Sequence, residues 1–321
     1  MDLAGKNAHS AHLLRAGNDA VAAAGAIIRS GGLVAFATET VYGLGADATN
    51  AAAVARIFAA KGRPSHNPLI VHVEGLTQAE EYAELGEAAR ALAAAFWPGP
   101  LTIVAPLGKD ARLAGAVTAG LPTVALRAPA HPTAQALLRA ADRPIAAPSA
   151  NRSGHVSATA AEHVAADLRD AVDMILDSGP CPGGLESSIV SVAGEPALLR
   201  PGAIPREALE AVCGPLADAG ETVQAPGMLA SHYAPAARLR LNADVAQPGE
   251  AHLGFGGVAG DLNLSPRGDL AEAAANLFAY LRRLDVGGAR AIAVAPIPAH
   301  GLGEAINDRL RRAAAPRGLH D

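Results

Sequence analysis

Aromatic residues are scarce: four Tyr, five Phe and one Trp make up 3% of the 321 residues. With 50% hydrophobic content, the core must be built from Ala, Val, Leu and Ile. Cysteine is nearly absent. Cys181 and Cys213 give neither a disulfide framework nor a metal-ligand spacing, so free thiols in a reducing cytoplasm are expected. No apolar run is long enough to span a bilayer; Ala20 to Ile28 is too short. The first ten residues lack the basic-then-apolar order of a signal peptide. Charged residues are few, at 18%, and the net charge of −5 does not suit a general nucleic-acid binder. A local basic pocket stays open, because net charge says nothing about clustering. Three catalytic signatures are missing as well: a Gly-x-Ser-x-Gly elbow, a Walker lysine loop and a zinc-type histidine pair.

What is present alternates short strands with helices. Residues 1–12 read as a loose tail. Asn18 or Asp19 is expected to cap a helix to Ser30, stopped by Gly31-Gly32. A strand follows at 33–37, then a helix at 51–61 capped by Asn50, and a strand at 68–73. One helix is expected over 77–96, then strands at 101–105, 122–127 and 144–147, with a helix at 132–141 before the last. Thr159 and Glu162 form a capping box for a helix to Leu168. Strands at 172–176, 187–193 and 196–200 complete an α/β domain with a mixed sheet. Proline and glycine then punctuate 201–236, around one short helix at 205–212, which marks a linker. Beyond it, strands at 251–255 and 290–295 with helices at 269–285 and 301–314 predict a second, small α/β unit. The expected division is 13–204, a linker at 205–237, and 238–321.

Polar residues collect at strand ends. Thr38-Glu-Thr-Val-Tyr-Gly-Leu-Gly45 follows the first buried strand, and Lys61-Gly-Arg-Pro64 ends the next helix. Lys61 and Arg63 suit phosphate oxygens, Arg by its fork and Lys as a point charge. They equally suit a helix C-terminus, with Gly62 at the C′ position. His72 faces away from Val71 and Val73 in strict alternation. Arg127 closes a strand and could grip a carboxylate, although an arginine there is ordinarily solvated. Ala147-Pro-Ser-Ala-Asn-Arg-Ser-Gly154 could form an anion nest or an ordinary loop. Ser187-Ser188 and Arg200 add to the set. Their shared trait is polarity without a strong covalent nucleophile.

Together these segments resemble the YrdC/Sua5 family. Thr38–Gly45, Lys61–Pro64 with Asn67-Pro-Leu69, and Pro148–Gly154 carry the resemblance. Ser187-Ser-Ile-Val190, Leu199-Arg-Pro-Gly202 and Pro226-Gly-Met…His232-Tyr-Ala-Pro235 agree with it. The last resembles the inter-domain loop of the longer, Sua5-type members. The resemblance implies a YrdC-like domain, with a twisted mixed β-sheet flanked by helices, plus a small C-terminal Rossmann-like α/β domain. It implies a nucleotidyltransferase, threonylcarbamoyl-adenylate synthase, using L-threonine, bicarbonate or CO2 and ATP with Mg2+. Its product would pass to the tRNA threonylcarbamoyl-transfer machinery for t6A at position 37; a weak contact with tRNA is compatible with this, a membrane is not.

By the same resemblance, Thr40, His72, Arg127, Ala147 and Ser187 line the threonine side. Arg63, Asn67, Thr123, Ser149, Asn151, Ser157 and Arg200 hold ATP. Lys61 lies on the phosphates, and Lys61 and Arg63 carry catalysis. His232 or Tyr233 reaches over the nucleotide; Thr38 competes with Thr40 for its role. Two other readings are an RNA-binding module, disfavoured by the acidic balance, and a carbamoyl-transfer accessory domain, disfavoured by the Sua5-like second unit.

Overall fold

A computed structural model describes residues 12–220, 225–227 and 232–316. Its larger sheet is mixed and eleven-stranded. From one edge it runs His12–Arg15 (β1), Met174–Asp177 (β8), Val34–Phe36 (β2), Gly43–Asp47 (β3), Ile145–Ala146 (β7) and Ile70–His72 (β4). It continues through Thr123–Arg127 (β6), Leu101–Pro106 (β5), Ser188–Ser191 (β9) and Ala197–Arg200 (β10) to Ala217–Asp218 (β11). A second sheet, wholly parallel, orders Arg238–Arg240 (β12), Ala291–Val294 (β15), Glu250–Gly254 (β13) and Leu262–Asn263 (β14). The helices are Asn18–Arg29 (α1), Ala51–Lys61 (α2), Leu76–Ala79 (α3), Glu87–Phe96 (α4) and Gly115–Thr118 (α5). Pro132–Ala141 (α6), Ala161–Leu168 (α7), Arg206–Cys213 (α8), Leu270–Val286 (α9) and Leu302–Ala314 (α10) follow.

The two faces of the large sheet are covered differently, and that difference makes room for a site. On one face, Val71, Val73, Leu126 and Ile103 pack under α2, α4 and α7 in one apolar core. On the other, Val34, Phe36, Ile145 and Met174 lie under α1 and α6. Farther along that face, Ile70, Ala125, Ile189 and Leu199 pack against Ala225. The second sheet has its own core on α9 and α10, which also takes in Val41, Val156, Leu185 and Tyr233. Three of these four come from the segments around the larger sheet, so the two units share apolar packing.

Local chemistry explains the agreements. Asn50 Oδ1 accepts from the backbone N–H of Ala52 and Ala53, and Gly62 takes the left-handed conformation (φ 60°) at the other end of α2. Asp269 caps α9 in the same way. Other expectations need correction. Gly17, without a side-chain bond, occupies the N-cap of α1, and neither Asn18 nor Asp19 does so. His12 belongs to β1; the rest of the expected tail lies outside the described residues. The expected 77–96 helix is two: Tyr82, Ala83 and Leu85 turn inward between α3 and α4, and Gly86 precedes the second. Thr159 offers its bonds to His163 Nδ1 rather than to Glu162, while α7 starts at Ala161.

Strand β3 lies between the expected strand at 33–37 and the expected helix at 51–61, where no strand is expected. A Cβ on Gly45 would sit 2.8 Å from both Ile145 Cγ2 and a Phe36 ring carbon. Glycine here admits neighbouring side chains across a central strand, rather than a turn.

Candidate active site

Ile70 and His72, two apart on β4, point to the face not covered by α2 and α4, and Arg127 is the register partner of His72 on β6. Beside them a cavity opens, walled by Thr38, Ala147, Pro148, Ser149 and Ser187. Arg63 and Arg200 enter from its sides, and Pro226, Gly227, His232 and Tyr233 of the linker close over it.

Its electrostatics are one-sided. Lys61, Arg63 and Arg200 are buried, yet among the described residues none has a carboxylate within ion-pair distance. Lys61 Nζ donates to the carbonyls of Ser149 and Asn151. Arg63 donates to the carbonyls of Asn67 (3.2 Å) and Pro68 (2.8 Å). Arg200 donates to Ser187 O and Oγ, at 2.8 and 3.1 Å, and to Pro226 O. Carbonyls satisfy the donors without cancelling the charge. Burial therefore pushes all three pKa values down, Arg63 to about 10, and like-charge neighbours add to the effect. A buried cation cluster of this kind has the chemistry that suits an anion.

Arg127 is different. Its Nη2 pairs with Glu39, and Nε reaches Gly99 O. Burial alone would raise Glu39, but Arg127 and the Ala130 N–H outweigh it and keep the carboxyl below its ordinary value. The ion pair fixes the Arg127 fork. His72 is pushed down to about 3 by burial and by Arg127, so it is a neutral imidazole, and its Nδ1 has no partner. His232 is likewise held neutral by burial first and then by Arg63, Lys61 and Arg200; its Nδ1 is also unpartnered.

Of the residues singled out from sequence, Arg63, His72, Arg127, Ala147, Ser149, Ser187, Arg200, His232 and Tyr233 line the cavity. Thr38 lines it too, whereas Thr40 does not. Thr38 Oγ1 donates to Val41 O, accepts from the Thr40 and Val41 N–H groups and meets Thr40 Oγ1 at 2.7 Å, so it organises the turn. Lys61 and Asn151 stand behind the wall, joined through the 148–154 loop. The Asn67 side chain is fully buried, with neither amide atom partnered. Ser157 donates to Glu186. Thr123 begins β6 at the end away from Arg127 and lies off the cavity wall. Sequence reasoning missed Glu39, Tyr42, Glu186 and Gly227. Glu186 carried a signal, a lone acid directly before Ser187; Glu39 and Tyr42 lie inside the Thr38–Gly45 segment.

Known proteins share this sequence pattern and fold. Residues 26–202 match the Sua5/YciO/YrdC family, described as "Telomere recombination", and residues 204–315 match the family described as "Threonylcarbamoyl-AMP synthase, C-terminal domain". A Bacillus subtilis (strain 168) protein named threonylcarbamoyl-AMP synthase is 44% identical over 92% of this chain and 93% of its own. A Pyrococcus abyssi protein of the same name is 42% identical over 92% and 94%. The crystal structure of P. abyssi Sua5 complexed with L-threonine superposes with a TM-score of 0.87 at 39% identity, covering 94% of this chain and 97% of that one. Escherichia coli YciO, at 22% identity and a TM-score of 0.53, shares the fold over 60% of the chain. With both halves matched in order, the chain belongs to the Sua5/YciO/YrdC family, in the form that carries the threonylcarbamoyl-AMP synthase C-terminal domain.

Proposed function

We propose that the protein is an L-threonylcarbamoyl-AMP synthase, making the adenylate and diphosphate from L-threonine, bicarbonate or CO2, and ATP. One observation carries this reading: two buried arginines, Arg63 and Arg200, with no acid partner among the described residues, face a cavity that also holds a fixed arginine fork, and buried Lys61 stands behind its wall. The first set suits a triphosphate and the second an α-carboxylate. Relatives named for this activity, and one solved with L-threonine bound, support the assignment.

The chemistry needs no enzyme nucleophile. The threonine amine adds to CO2 and loses a proton, giving a carbamate. A carbamate oxygen then attacks the α-phosphorus, and the bond to the β-phosphate bridging oxygen breaks with diphosphate leaving. Catalysis is by positioning and charge neutralisation. Arg127, with Nη2 held by Glu39, keeps Nη1 for the threonine carboxylate. Arg63 and Arg200 neutralise phosphate oxygens. Lys61 uses two of its three ammonium donors on the 148–154 loop and keeps one. Neutral His72 and His232 offer imidazole nitrogens without adding charge. No group of three His, Cys, Asp or Glu that could hold a metal occurs among the described residues; Glu39 and Glu186, the nearest acids, are engaged by arginines. Mg2+ enters with ATP, as part of the nucleotide substrate. The described linker residues Pro226, Gly227, His232 and Tyr233 act as a cover over the site, and the product goes on to a threonylcarbamoyl-transfer step on tRNA in the cytoplasm.

The test is direct. The protein is incubated with ATP, bicarbonate and labelled threonine, and diphosphate and the labelled adenylate are measured. Threonine-independent ATP consumption, or no adenylate, would overturn the assignment.

A further inference from the structure

Glu186 is out of place in a cavity built for anions. It lines the same cavity as Arg200, and Arg200 donates to the very next residue, Ser187. An unengaged Glu186 would pair with Arg200 and occupy the donors a phosphate needs. What engages it comes from the second unit. Arg309, on α10, has no exposed side-chain surface, and its Nε donates to Glu186 Oε2 at 2.8 Å. Glu186 Oε1 accepts from Ser157 Oγ, so both carboxylate oxygens are committed. Arg309 Nη1 donates to Asp308, which also accepts from Arg312. The Arg309 guanidinium lies 5.1 Å from the centroid of Tyr233, whose ring stacks on Phe278 of α9. Burial pulls the Arg309 pKa down, and Tyr233, Glu186 and Asp308 together outweigh it.

The seating is tight where the units meet. Gly184 adopts φ 68°, and a Cβ there would lie 2.4 Å from Ala274 O of α9. Gly184 is thus pressed against α9, which anchors the chain two residues before Glu186.

We propose that Arg309 is a positioning residue for the nucleotide site: from the second domain it holds the Glu186 carboxylate away from Arg200 and so keeps the cavity cationic. This rests on the reading of the cavity as an ATP site. The second domain then acts on the site's charge, in addition to its packing.

Exchange of charge on the pair separates this from a purely structural role. In Arg309→Met, Glu186 is released toward Arg200, and the ATP dissociation constant rises by at least about tenfold, the scale of one charge-assisted bond. The KM for threonine stays within about threefold, because Arg127 and Glu39 are untouched. Adding Glu186→Gln removes the competing charge while keeping an acceptor for Ser157, and ATP affinity returns to within about threefold of wild type. Isothermal titration with ATP and steady-state kinetics on the full chain read all three values. If Arg309→Met does not fold, the double variant is compared with wild type directly: a folded double variant that has lost ATP affinity more than tenfold overturns the proposal. So does a folded Arg309→Met with unchanged ATP affinity, or one that Glu186→Gln fails to restore. Failure of wild type itself to bind ATP would sink the ATP-site reading instead.

Discussion

Arg63→Met is the sharpest probe of the cation cluster. Arg63 is 8% exposed and has no acid partner among the described residues. Its pKa falls from the ordinary arginine range to about 10 because it is buried beside Arg200. A fall of that size corresponds to about 3 kcal/mol of unfavourable charge burial at neutral pH. A bound triphosphate relieves that cost, so the same figure estimates the coupling between Arg63 and the anion, roughly 100-fold in affinity. Without ligand, methionine removes the charge but leaves the carbonyls of Asn67 and Pro68 without their donor, at about 1 kcal/mol or more each. The two effects nearly cancel, so the ligand-free melting temperature should shift by only a few degrees. The sign with pH follows. Arg63 is protonated below about pH 10, so its share of ATP affinity is complete at neutral pH and starts to decline only as pH rises above that value. Titration calorimetry with ATP and thermal melts with and without nucleotide measure both quantities. A folded Arg63→Met with ATP affinity within about fivefold of wild type would refute the reasoning.

Four further outcomes are expected. Arg127→Lys keeps a charge but loses the fork, so the KM for threonine should rise about 10–100-fold with ATP affinity unchanged, read by initial rates. His72 is neutral down to about pH 3, so the unfolded chain takes up its proton first as pH falls; acid melts should show stability lost between about pH 6.5 and 3, and less of that loss in His72→Gln. Asn50→Ala removes the acceptor for two N–H groups of α2 and should cost about 1 kcal/mol in denaturant titrations, without altering ligand affinity. Gly202→Ala would place a Cβ 2.4 Å from Ser188 N and 2.5 Å from Ser187 C, so both stability and ATP affinity should fall; a silent variant would mean that the 187–188 backbone has room to move.

Regular elements were legible where local chemistry alone decides them. Asn50 and Asp269 declare the starts of α2 and α9, and Gly62 declares the end of α2. The alternation of Val71, His72 and Val73 places the histidine opposite the main helical core. Elements fixed by distant neighbours were not legible. β3 needs Phe36 and Ile145 to explain its glycines, and β1 exists by pairing with β8, over a hundred residues away. The site followed the same rule. Residue types chosen for an anion and a carboxylate could be named, and most of those line one cavity. Which acid holds which arginine could not, because Glu39–Arg127 and Glu186–Arg309 join segments 88 and 123 residues apart.

The buried cations around the cavity fall into two classes, those held by main-chain carbonyls and those held by carboxylates. Lys61, Arg63 and Arg200 each donate to two main-chain carbonyls, on loops that form the walls of the cavity. A buried donor left unmade would cost about 1–3 kcal/mol, and these bonds avoid that cost while fixing each side chain. Carboxylate partners would have stabilised the ligand-free chain further, but they would have spent the charge that attracts a phosphate. Arg127 and Arg309 do have such partners, Glu39 and Glu186. Carbonyls are thus used where charge must remain for the ligand, and carboxylates where a fork or an acid must be held still. For the proposed reaction, preorganisation of this kind would lower the barrier, because the donors need not reorganise as negative charge moves from the carbamate toward the leaving diphosphate.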